Sequence, residues 1–460
     1  MRRRHVSLPL LASPALALAF VAACADPRPV AVEVTPGKEE GSLVADPAVA
    51  EVTIDLYDGD GTTKLSSATA KPGGEFDLGE IPDTSIVNFD LTGKDAAGNV
   101  IARGRSISMD LGGVESGTVP LFIQRLGGFA RPNGDLVRGH IHAPAAVYAE
   151  EMLVATGGER AIGANGDADP AIGDFFDMLD FTPQETMGQF PRAARSLVVR
   201  DTALLLIDDE GATFADLSTG ETSEAVAPDD AAFGDVSGGR TIEAGSDISF
   251  IVGATRPDVP TKSIIEVDAS SALTGYALGT ARAGAASAYV PGVGVVVAGG
   301  SATGPGVEYI AEDLSVKSLA YAADATTGAA MVLIGEHQVA LIGGRDGDGN
   351  PAPTRVLDLQ CVGAEDCVAE TVAAANVPEI ASHGVAFAMT DAVLAIGDDE
   401  DGETLAFRVS FNEGTVTSLP LRDPRRGATA VAAPNGTLAI LGGEKTVGGA
   451  ATSVELYFPE

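Results

Sequence analysis

The feature that most constrains this chain is a spacing. After Leu126, β-rich runs end again and again in a doublet of small residues: Gly157-Gly158, Gly253-Ala254, Gly299-Gly300, Gly343-Gly344, Gly397-Asp398 and Gly442-Gly443, with a degenerate Asp208-Asp209 in second place. Successive first residues lie 51, 45, 46, 44, 54 and 45 apart. After each doublet come a loop and a second run carrying an acidic or aromatic residue. A repeat of this length, with room for four short strands, cannot bury its apolar faces alone. It must stack on its neighbours, as the blades of a β-propeller do. Composition agrees: 56 of 460 residues are Gly, Trp is absent and aromatics make up 5%. Glycine supplies the positive-φ turns that many short strands require. No long stripe of period 3.6 is visible, so a large helical protein is excluded. With 45% hydrophobic residues the chain has material for a real core.

The last unit is the clearest. Arg426-Gly427 opens it, Ala428 to Ala433 reads as a strand, and Pro434-Asn435-Gly436 turns the hairpin. Thr437 to Leu441 is the second strand, ending at Gly442-Gly443, and Ser453 to Tyr457 is the third. This unit resembles a kelch repeat. The stretches Arg282-Ala283-Gly284 through Tyr309 and Gly328 through Asp358 repeat its design, without the Trp of kelch blades. The resemblance implies an all-β, seven-bladed kelch-like β-propeller in which paired glycines let the inner strands crowd the central channel. Because the last unit has only three strands, closure of the ring is expected from Leu121 to Leu126, pairing near Val454 to Tyr457.

The N-terminal third reads differently. Arg2-Arg3-Arg4 followed by an apolar run from Val6 to Ala22 is a secretory signal, too short and too small-residue at its end for a membrane span. Val21-Ala22-Ala23-Cys24 resembles the lipobox of bacterial lipoproteins, which implies acylation at Cys24. Each acyl CH₂ buried contributes about 0.8 kcal/mol, so two or three chains anchor stably. Ala25 in place of Asp points, by the same resemblance, to the outer membrane or cell surface. The expected organisation is a signal peptide at 1–23, an extended tether at 24–47, a small β-sandwich at 48–120 and the propeller at 121–460. Within the sandwich, Val52 to Tyr57, Gly74 to Gly79, Ile86 to Leu91, Val100 to Ile107 and Val119 to Ile123 read as strands. Gly73 to Leu78 resembles a turn-strand unit of transthyretin-like or carboxypeptidase-regulatory modules, and the overall pattern is Ig-like. With Cys24 lipidated, Cys361 and Cys367 read as a local disulfide of an exported protein.

Charge narrows the function. The net charge is −36, and the acid-free segment 1–23 removes three positive charges when cleaved. Such a field repels phosphate backbones, so nucleic acid is excluded as a partner. His140 and His142 would share one face of a strand, yet Arg138-Gly139-His140 fits the structural opening of a kelch blade, and no metal site is expected. Asp346-Gly347-Asp348-Gly349-Asn350 begins like a calcium loop but has Pro351 and Leu357 where an EF-hand needs Gly and Glu, leaving only a loose Ca²⁺-binding turn, as at Asp58 and Asp60. No phosphate loop, nucleophile elbow or zinc motif appears. The expectation is a non-enzymatic binding or scaffolding lipoprotein with no cofactor. It would meet the bilayer through its acylated N-terminus and a protein or glycan ligand through its propeller face. The alternative is an extracytoplasmic hydrolase or lyase using acidic residues at the channel mouth.

Overall fold

The computed structural model describes residues 28–82, 85–113, 117–184, 189–245, 247–362 and 369–459. Cys24, the signal segment and Cys367 lie outside these residues. Cys361, in the turn after strand Arg355–Asp358, is engaged in an interaction of its own.

Seven four-stranded antiparallel sheets carry the molecule among the described residues. They span 145–184, 196–224, 240–282, 286–318, 330–372, 382–418 and 429–457, the seventh completed by Phe129–Ala130. Each of seven apolar clusters joins one sheet to the next, and the cluster of the seventh sheet with the first closes the circle. The arrangement is a β-propeller. It explains why the second strands are apolar without alternation. In Gly294–Ala298 of the fourth sheet, Val296 faces the fifth sheet while Val295 and Val297 face the third. A strand covered on both faces has no polar side to show.

The doublets act between blades as well as within them. Gly158 donates its N–H to Ala194 O, Gly300 to Thr326 O, Gly344 to Ile380 O and Gly443 to His140 O, each at 2.7–2.8 Å and each reaching a neighbouring segment. Both residues of these four doublets have φ between 67° and 94°, which only glycine adopts freely. In the degenerate second unit an aspartate turn takes over: Asp208 Oδ1 accepts the N–H groups of Glu210 and Gly211 at 2.9 Å. The 51-residue spacing reflects an extra hairpin, Arg160–Gly163 with Gly166–Ala168, which pairs with Gly139–Ile141.

The ring closes later in the chain than the sequence suggests. Phe129 pairs with Tyr457 and Ala130 with Leu456. Leu121 and Phe122 instead lie in Thr118–Phe122, parallel to Ala31–Thr35, and Gln124–Arg125 pairs with Val100–Arg105. The reason is burial: Leu121 and Ile123 are core residues of the N-terminal unit and are not available to the propeller.

That unit is a six-stranded sheet in which Glu51–Asp58 and Ile86–Lys94 alternate inward Val52, Ile54, Leu56 and Val87, Phe89, Leu91. Two expectations are corrected there. Gly74 to Gly79 is not a strand; the edge is Lys64–Ala70, whose polar sequence hides its period. Residues 28–47 are not a free tether. Val30, Val32 and Val34 pack on the unit's core, and Arg125 donates to the carbonyls of Ser42, Ala45 and Pro47. The unit leans on the seam of the ring, where Ile107 and Phe122 share a cluster with Leu153 and Leu456.

Candidate functional site

Because every blade enters its first strand from the same side, the segments opening the blades meet at one mouth of the channel, together with the ends of the second strands. Three side chains from distant parts of the chain converge there. His142 follows Gly139–Ile141 and hangs from Gly427 O by its own N–H, at 2.8 Å. His383 sits in the first strand of the sixth sheet, Ser382–Ala388, where the register slips between Ser382 and Val385. Asp398 ends the second strand, opposite Ser382, and is 1% exposed.

His142 Nε2 lies 2.8 Å and His383 Nδ1 lies 3.1 Å from the same oxygen, Asp398 Oδ2. The two imidazoles stack with centroids 3.8 Å apart. The far nitrogen of His142, Nδ1, is 3.2 Å from Glu159 Oε2. The other carboxylate oxygen, Asp398 Oδ1, accepts from Thr404 Oγ1 at 2.8 Å, and Thr404 Oγ1 accepts from Ala428 N at 3.0 Å. The carboxylate is thus held from two blades. Burial alone would raise the Asp398 pKa, but hydrogen bonds and charge from both histidines outweigh it and set it at about 2. Burial likewise works against a charged His142, and the Asp398 hydrogen bond with the charges of Asp398 and Glu159 reverses this, raising its pKa.

Backbone geometry marks the same place. His142 and His383 have φ of 47° and 51°, each at a cost of about 1–2 kcal/mol for a residue with a Cβ. Paired strain of this kind clusters at sites where side-chain direction matters more than local stability. Nearby, Arg240 of the third sheet donates to Gly384 O, the residue after His383, and so reaches across the ring. No carboxylate among the described residues forms an ion pair with it, and burial lowers its pKa to about 10.

The other candidates resolve simply. His140 is fully buried, with Nδ1 3.2 Å from Gly157 O, and does not join His142. Asp346 Oδ1 accepts the N–H groups of Asp348 and Asn350, and Asp58 Oδ1 those of Thr62 and Thr63, so both loops hold themselves together as turns. A groove lined by Tyr321, Arg355, Asp324 and Glu370 lies near the outer strand of the fifth sheet; Tyr321 donates to Glu370, and Arg355 Nη1 donates to Tyr321 and Asp324. His383 and Asp398 were missed in the sequence although a signal existed. Both histidines stand at blade openings, and Asp398 replaces the second glycine of its doublet.

No protein-family model matches the chain, and no curated protein matches it significantly. Among solved structures it is similar to the WD40 repeats of RRP9, at 11% identity and TM-score 0.44, covering 72% of this chain and 98% of that one. It is similar to a "quinonprotein alcohol dehydrogenase-like protein" from Bacteroides thetaiotaomicron, at 11% identity and TM-score 0.43, covering 85% and 96%. The computationally designed Ika8 protein matches at 11% and 0.39, covering 72% and 100%. At these scores the propeller assignment rests on the sheets and their clusters, and nothing about function is carried over.

Proposed function

We propose that the protein is an exported lipoprotein, anchored through Cys24 at the outer membrane or cell surface, whose seven-bladed kelch-like ring binds a protein or glycan at the channel mouth. The observation that carries this reading is the convergence of His142, Arg240, His383 and Asp398 from three sheets or their openings on one rigid rim. Seven inter-blade cores fix those positions before a ligand arrives, which lowers the ordering cost of binding. Cys361 and Cys367 belong to the same reading as a disulfide suited to an oxidising compartment.

Two measurements test it. In a Gram-negative host fed labelled palmitate, the wild-type chain is expected to take up label and Cys24→Ala to take up none; equal labelling removes the anchor. Immobilised full-length chain is expected to retain a defined envelope protein or glycan that is lost with Arg240→Gln and kept with Glu370→Gln, on the outer strand of the fifth sheet. Capture indifferent to Arg240 would place binding elsewhere. A second reading, an extracytoplasmic hydrolase or lyase, is favoured by Asp398 and Glu159 standing beside two imidazoles at the mouth. Turnover of the captured ligand would select it.

A further inference from the structure

We infer that His142, His383 and Asp398 bind a divalent transition-metal ion of the zinc class, with Glu159 and Thr404 orienting the ligands. This goes beyond the binding reading and does not depend on what the mouth captures. It also departs from the sequence, in which no metal site is evident and His140 is the natural companion of His142.

The first ground is geometry. Ligand atoms, one each from His142, His383 and Asp398, lie within 4.8 Å of one another. Neighbouring ligands of a tetrahedral zinc ion with bonds of about 2.0–2.1 Å stand about 3.3 Å apart. The two carboxylate–imidazole separations, 2.8 and 3.1 Å, need open by only a few tenths of an ångström, and because the rings stack at 17° an imidazole must also turn to bring both lone pairs onto one ion.

The second ground is donor chemistry. Two imidazole nitrogens and one carboxylate oxygen suit zinc, copper, nickel or iron(II), whereas calcium and magnesium want a shell of oxygens. Three protein ligands also leave a position for water or a ligand at the mouth.

The third ground is the outer shell. Metal-ligating histidines give their other ring nitrogen to a carboxylate, and ligating carboxylates are themselves hydrogen-bonded. Here the Glu159 carboxylate stands 3.2 Å from His142 Nδ1, close enough to accept from it after a small rotation although the pair is not aligned as a hydrogen bond, and Thr404 holds the Asp398 oxygen that faces away from the histidines. Both histidines are placed by left-handed backbone, which turns imidazoles from two separate openings onto one oxygen.

The test uses the untagged full-length chain, treated with EDTA, exchanged into metal-free buffer, incubated with Zn²⁺ and desalted. Atomic emission should find one zinc per chain, and Zn²⁺ should raise the melting temperature in a way EDTA reverses. His383→Asn keeps a residue that tolerates positive φ. It and Asp398→Asn should each lose zinc affinity at least tenfold while melting like the metal-free wild type, and Glu370→Gln should bind normally. Substituting Co²⁺ should give visible absorption of a low-symmetry site that both ligand variants lack. A wild type that retains no zinc and shows no Zn²⁺-dependent melting shift would leave only a hydrogen-bonded His-Asp-His group and overturn the inference. So would undiminished zinc in the two ligand variants.

Discussion

Replacing Glu455 with alanine is expected to cost about 3–5 kcal/mol of stability, the usual price of stranding one partner of a fully buried ion pair. Arg425 and Glu455 are both 0% exposed and bridge the opening of the seventh sheet to its third strand. Glu455 also accepts the backbone N–H groups of Arg422 and Asp423 at 2.7 and 2.9 Å. Alanine would therefore leave a buried guanidinium and two amides without their acceptor. The remaining Arg425 bonds, to Asp423 O, Gly442 O, Ser453 O and Ser453 Oγ, are to neutral oxygens and do not neutralise its charge. The same device recurs between Arg282, which ends the third sheet, and Glu308 of the fourth, and between Arg138, ahead of the first sheet, and Asp174 within it. Urea unfolding of Glu455→Ala beside Glu51→Ala, which breaks only an exposed pair, measures the effect. A midpoint as little changed as that of Glu51→Ala would mean that the buried pair is not what holds the seventh sheet.

Gly157→Ala is expected to be the most damaging single methyl in the chain, costing at least about 3 kcal/mol, within the range of severe point mutations. Its φ is 71°, and an added Cβ would stand 1.8 Å from Ala194 O. That oxygen is the acceptor for Gly158 N, so it cannot retreat without breaking the bond that joins the first sheet to the second. Gly220 separates strain from collision. Its φ is 72°, but nothing lies within 4 Å of the added atom, so Gly220→Ala should cost only the about 1–2 kcal/mol of a left-handed alanine. If the two variants unfold at the same denaturant concentration, the approach of Ala194 O to Gly157 is not what makes the methyl costly.

These effects fall where the sequence was most readable. Paired glycines at a steady spacing were visible because each pair needs positive φ and close backbone approach, and no other residue offers both. Strand Gly294–Ala298 was equally plain, since an unbroken apolar run five residues long has to be covered on both sides. The closing strand was not plain. Phe129–Ala130 has two residues and therefore no period, while Leu121 to Leu126 next door alternates convincingly and serves the N-terminal unit. Val30, Val32 and Val34 did carry a period-two signal, but Pro residues around them suggested an extended linker. The mouth was the least legible part. His142 and His383 belong to different units, and only the circular order of the blades, with the sixth sheet near the first through the seventh, makes them neighbours.

The seam between Phe129 and Tyr457 has a kinetic consequence. Six sheets are built from consecutive chain and can form as each segment becomes available, but the seventh joins residues from both ends of the ring. Closing so long a loop carries an entropic penalty that no local contact offsets in advance, and chains dominated by such pairings fold slowly. For a polypeptide that emerges N-terminus first, Phe129–Ala130 must wait beside the already folded N-terminal unit until Glu455–Tyr457 arrives. Until then Leu438–Leu441 has an uncovered neighbour position, and an open strand edge is a template for pairing with another chain. The N-terminal unit, through Ile107 and Phe122, keeps the waiting strand near the place where its partner will dock. The last few residues of the ring thus decide whether an emerging molecule becomes a closed monomer or an aggregate.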